Sequence, residues 1–95
     1  MKIQNLLIVE DNLQLGNALD KGLASSEIIT NVRTCTSGEE ALIFCLSLPP
    51  DVILMDVQLG GDMNGIQAAV EIRREFPRLP VVFYLSIYLS WIIYF

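Results

Sequence analysis

Apolar and polar positions follow two periods along the first three quarters of the chain. Residues 3–9 form a short apolar run that stops at the acids Glu10 and Asp11 and predicts a first strand. Asn12 can cap a helix on which Leu15, Ala18, Leu19, Gly22 and Leu23 share one face. Residues 28–34 are rich in β-branched side chains and predict a second strand. Ser37-Gly38-Glu39-Glu40 has the form of a capping box, with Ser37 as N-cap and Glu40 three residues on. The helix behind it carries Ala41, Leu42, Cys45 and Leu46 and stops before Pro49-Pro50. Residues 52–55 are apolar throughout, as expected of a strand covered on both faces. A Gly-rich loop at 59–64 leads to a helix with Ile66, Ala69, Val70 and Arg73 on one face, ending at Phe76-Pro77. Residues 81–85 predict a fourth strand. Strand and helix in strict alternation imply an α/β fold, a parallel sheet with helices on both faces.

Beyond Arg78 the pattern changes. No charged residue follows through Phe95, and six of the eight aromatic residues lie at 83–95. Ile87, Leu89, Trp91 and Ile93 alternate as in a strand, while Leu85, Leu89 and Ile92 share a helical face, so periodicity leaves both open. As a helix, the residues after Pro80 would span roughly 22 Å. That is short of the roughly 30 Å hydrocarbon core, so no membrane anchor is expected.

Composition narrows the chemistry. Ninety-five residues allow one domain, and 53% hydrophobic residues exclude a disordered tail. A net charge of -5 argues against direct nucleic-acid binding by this chain. There is no histidine, so a bound metal would be a hard cation held by oxygen. Cys35 and Cys45 have no metal-site spacing and are expected to pack as small apolar residues. The N-terminus lacks the pattern of a signal peptide, and a cytoplasmic location is expected.

The candidate chemistry lies in acids at strand ends. Glu10 and Asp11 follow the first strand and Asp56 follows the third. In a parallel α/β sheet such positions line the ligand crevice. Three anions brought together repel, so either a proton is retained or a cation joins them, and oxygen ligands without histidine point to Mg²⁺. The alternative is that the acids are ordinary loop-start residues.

Leu7-Ile8-Val9-Glu10-Asp11-Asn12, Asp51-Val52-Ile53-Leu54-Met55-Asp56, Gly60-Gly61-Asp62-Met63-Asn64-Gly65-Ile66 and Pro80-Val81-Val82-Phe83 occur in this order. Together they resemble the receiver domain of two-component response regulators over about residues 3–86. The resemblance implies a flavodoxin-like sheet of strand order 2-1-3-4, continued by a fifth strand in the family. It implies that Asp56 takes a phosphoryl group from a phosphohistidine of a sensor histidine kinase or phosphotransfer protein. Asp11 would bind Mg²⁺ directly and Glu10 through water. Asp56 and the backbone carbonyl of Gln58 would complete the protein's share. Gly65 matches a family glycine placed where positive φ or close backbone packing is needed. Ser86 resembles the family's switch hydroxyl, one residue late, because Leu85 holds the usual place.

The family continues into a further helix, a fifth strand bearing a lysine, and a fifth helix. The lysines of this sequence are Lys2 and Lys21, at neither matching place. The expected organisation is therefore an incomplete receiver domain at 1–86 and an apolar tail at 87–95, without catalytic turnover of its own. A dimer through the tail and an exposed sheet edge, or a poorly soluble protein, is expected. Two other readings compete. A phosphatase of the haloacid-dehalogenase type needs a second aspartate where Gln58 stands. A pseudo-receiver would bind a partner without phosphate, and a truncated remnant would be inactive.

Overall fold

The computed structural model describes residues 2–86. The element order is β1 (Ile3–Val9), α1 (Leu13–Ala24), β2 (Ile29–Cys35), α2 (Gly38–Ser47), β3 (Val52–Asp56), α3 (Gly65–Glu75) and β4 (Val81–Tyr84). All pairings are parallel and the sheet order is β2-β1-β3-β4. This is the flavodoxin-like arrangement that the receiver-domain resemblance implied. The expectations for residues 87–95 lie outside the described residues. Among the described residues, no helix is long and apolar enough to cross a membrane.

The apolar second half of β1, Leu6–Val9, has a direct cause. Leu7 and Val9 face one side of the sheet, where they join Ile53, Met55, Ala41, Cys45, Ala68 and Ile72. Leu6 and Ile8 face the other side, where they join Ile29 and the half-buried Leu19 and Leu23 of α1. A strand buried on both faces needs no polar alternation. Each fully buried Leu or Ile contributes about 1.5–3 kcal/mol. Both cysteines are buried and free, as their spacing suggested.

Several details differ from the sequence expectation. The second strand runs one residue later than 28–34, leaving Ile28 outside it and 54% exposed. The third strand includes Asp56, and the fourth stops at Tyr84. The buried face of α3 is Gly65, Ala68, Ala69 and Ile72, whereas Ile66, Val70 and Arg73 are exposed. Small residues make this face because α3 lies close on the sheet and on α2. On α1, Leu15 and Gly16 are buried while Ala18 and Gly22 are exposed. On α2, Leu46 is exposed. Ser37 caps α2 by accepting from the Glu40 N–H at 3.1 Å, but the Glu40 carboxylate reaches Thr36, accepting from its N–H at 3.0 Å and its hydroxyl at 2.6 Å. The reciprocal capping box belongs to α3, where Asn64 and Gln67 exchange bonds of 2.9 and 3.0 Å.

Gly65 fixes where α3 meets the sheet. Its φ is not positive; Gly61 alone takes that region among the described residues. What it supplies is room. A Cβ at position 65 would lie 2.0 Å from the Asp56 carbonyl oxygen and 2.9 Å from the carbonyl carbon, both backbone atoms. The Gly65 N–H donates to the Val57 carbonyl at 3.0 Å and closes the loop. Gly65→Ala is therefore expected to destabilise the fold by on the order of 2 kcal/mol, because the overpacking can be relieved only by moving backbone. Denaturant unfolding of the two proteins checks this.

Candidate functional site: three carboxylates at the strand ends

The pairing of β1 with β3 sets Val9 beside Met55, so the residues that follow come out at the same edge of the sheet. One carboxylate oxygen each from Glu10, Asp11 and Asp56 lies within 4.8 Å of the others. Glu10 and Asp56 are 2% and 0% exposed, and Asp11 is exposed. The three strand-end acids predicted from sequence are thus brought together, and burial of two of them is more than loop-start residues require.

Backbone N–H groups from separate loops hold the carboxylates in place. Glu10 Oε2 accepts from the Asn12 N–H at 2.9 Å. Asp11 Oδ2 accepts from the Gly60 N–H at 3.1 Å. Asp56 Oδ1 accepts from the N–H groups of Gln58 at 3.0 Å and Ser86 at 3.3 Å. The start of α1 lies directly behind, its N-cap Asn12 accepting from the Leu15 N–H at 3.0 Å, and its partial positive charge favours anions there. Asp56 Oδ2 is buried with no hydrogen-bond partner among the described residues. A buried carboxylate oxygen without a donor is costly unless a cation or proton meets it. The donor set is all carboxylate, which suits a hard divalent cation such as Mg²⁺.

Burial pushes the Glu10 carboxyl from 4.5 up to about 7. Hydrogen bonds from Asn12 and Tyr84 oppose the shift, while Asp56 and Asp11 add to it. Tyr84 is the member that the sequence did not reveal. Its hydroxyl donates to Glu10 Oε1 at 2.8 Å. Burial and the adjacent Glu10 push its phenol up, so it stays a protonated donor. A signal existed in the last position of β4, which the register sets opposite Asp56, but the register is not written in the sequence.

Gln58 and Ser86 both reach Asp56 through their main chains. The Ser86 hydroxyl makes no hydrogen bond among the described residues, and its residue is half-buried.

With this geometry in place, comparisons with known proteins agree with one another. A family model for the response regulator receiver domain matches residues 6–86. Response regulator protein VraR of Staphylococcus epidermidis is 35% identical over 81 residues, covering 85% of this chain and 38% of that protein. VraR of Staphylococcus aureus is 32% identical over the same length. The chain therefore spans 38% of the length of these curated relatives. Among solved structures, a LuxR-family two-component response regulator from an Aurantimonas species superposes with TM-score 0.81 at 19% identity, over 90% of this chain and 59% of that one, a likeness of fold. The signal receiver domain of a modulated diguanylate cyclase from Desulfovibrio desulfuricans gives 0.76 at 30% identity, over 86% of this chain and 64% of that one.

Without divalent cation, stability should respond to the proton on Glu10. The folded chain holds that proton up to about pH 7 and the unfolded chain releases it near 4.5. The unfolded state thus binds fewer protons between these values, and stability falls as pH rises through that window. The loss is on the order of 3 kcal/mol. Urea unfolding of wild type and Glu10→Gln from pH 4 to 8 checks this; the difference between the curves should carry the slope.

Proposed function

The chain belongs to the response regulator receiver domain family, and we propose that it accepts a phosphoryl group on Asp56 from the phosphohistidine of a sensor histidine kinase or phosphotransfer protein. The observation that carries this reading is the Asp56 carboxylate, fully buried between the Glu10 and Asp11 side, with Oδ2 lacking any hydrogen-bond donor among the described residues.

An Asp56 oxygen forms the new O–P bond as the N–P bond of the phosphohistidine breaks. The electron pair of that bond returns to the imidazole nitrogen, and Asp56 becomes an acyl phosphate. The Gln58 and Ser86 N–H groups hold Oδ1 and fix the plane of the carboxylate, leaving Oδ2 unengaged. Positioning of this kind is most of what a protein contributes to phosphoryl transfer. Glu10, Asp11, Asp56 and the Gln58 carbonyl would hold Mg²⁺, which supplies positive charge against the phosphoryl oxygens. Ser86, whose N–H already bonds Asp56, is the proposed switch hydroxyl. Such a domain is a signalling module, and its place is the cytoplasm with its phosphodonor. Association of two copies through the β4 edge and residues 87–95 belongs to the same proposal, supported by Val82 and Phe83, which are 53% and 42% exposed on that edge.

Incubation with acetyl phosphate and Mg²⁺ should give a single phosphorylated species, stripped by hydroxylamine. Asp56→Asn should take no label; label retained in that variant would place the acceptor elsewhere. Asp11→Ala should weaken Mg²⁺ binding by about tenfold or more in calorimetric titration.

A further inference from the structure

Tyr84 gives the site a feature that the proposed phosphoryl transfer does not use. Both oxygens of Glu10 are engaged by the protein, Oε2 by the Asn12 N–H and Oε1 by the Tyr84 hydroxyl. Asp11 and Asp56 differ. Asp11 accepts from the Gly60 N–H at Oδ2, and Asp56 keeps Oδ2 with no donor at all. Tyr84 is also the one side chain among the described residues that donates to the trio; every other donor is a backbone N–H. Its place is fixed from behind by the strand register, with Tyr84 beside Asp56, and by the Val57 N–H donating to the Tyr84 carbonyl at 2.9 Å.

We propose that Tyr84 is a positioning residue that sets which divalent cation the acidic site prefers, by tying the Glu10 carboxylate back from direct ligation. The inference rests on the cation site of the proposed function. With Glu10 held, Asp11 and Asp56 are the carboxylates left to ligate directly, and the remaining positions around a cation fall to water and carbonyl oxygen. That arrangement suits Mg²⁺, which keeps several waters and uses one or two carboxylates. It suits Ca²⁺ poorly, because Ca²⁺ takes six to eight oxygens and gains from each further carboxylate. Removing the hydroxyl while keeping the ring frees Glu10 Oε1 as a third carboxylate ligand.

Calorimetric titration of the full chain with MgCl₂ and with CaCl₂ tests this in wild type, Tyr84→Phe and the double variant Tyr84→Phe/Glu10→Gln. Tyr84→Phe should bind Ca²⁺ about tenfold more tightly while Mg²⁺ changes by less than about threefold. The double variant should lose the Ca²⁺ gain. An unchanged ratio of the two affinities overturns the inference, and so does a parallel fall in both, which a merely structural role would give. A Ca²⁺ gain that survives Glu10→Gln overturns it too. If wild type binds neither cation, the cation site of the proposed function falls and this inference falls with it. If wild type binds Mg²⁺ and only the ratio fails to move, the proposed function stands and Tyr84 is a packing residue.

Discussion

The structure depends on holding three carboxyl groups together. Glu10, Asp11 and Asp56 repel one another whenever all are ionised, and two of them are withdrawn from water as well. Neither condition would persist in a flexible loop. It persists here because β1 and β3 are neighbours in parallel register, with Leu7, Ile8, Ile53 and Met55 wholly buried immediately before the acids. Burial of these apolar side chains offsets the cost of the carboxylates, so the acids stand where the strands end. The repulsion then remains as a standing demand for positive charge, answered in part by backbone N–H groups and by the start of α1.

The same two strands explain what could be read from the sequence. Where a strand is covered on both faces it is written as an uninterrupted apolar run, as at Leu6–Val9 and Val52–Met55, so β1 and β3 and the acids at their ends were legible. Helix α3 was legible as a helix but not as to its face. Its contact surface is built from Gly65, Ala68 and Ala69 with Ile72, and counting large apolar residues instead selected Ile66 and Val70, which are about half exposed. Where backbones approach closely, the smallest residues mark the core and the larger ones are displaced to its rim. Position 65 is the extreme case, since even a methyl group would meet the Asp56 carbonyl.

Contacts fixed by register were the least legible. That Tyr84 reaches Glu10, 74 residues earlier in the chain, follows from the order β1-β3-β4 and from Asp56 lying opposite Tyr84. The sequence shows only a tyrosine at the end of an apolar run. Likewise Glu40 was read as completing a capping box with Ser37, and its carboxylate instead bonds Thr36, one residue further back. The helix start was right because Ser37 alone provides it.

The N–H groups of Asn12, Gln58, Gly60 and Ser86 have a consequence for how this site tolerates change. A main-chain donor is present whatever side chain the residue carries. At position 60 even the missing Cβ would make only ordinary contact, 3.5 Å from Asp11 Oδ2. The side chains at 58 and 60 are therefore open to drift toward new outward chemistry while the inward geometry stays constant, with proline the one residue barred because it brings no N–H. The acids can be conserved in place while the rim around them is rewritten for a different partner.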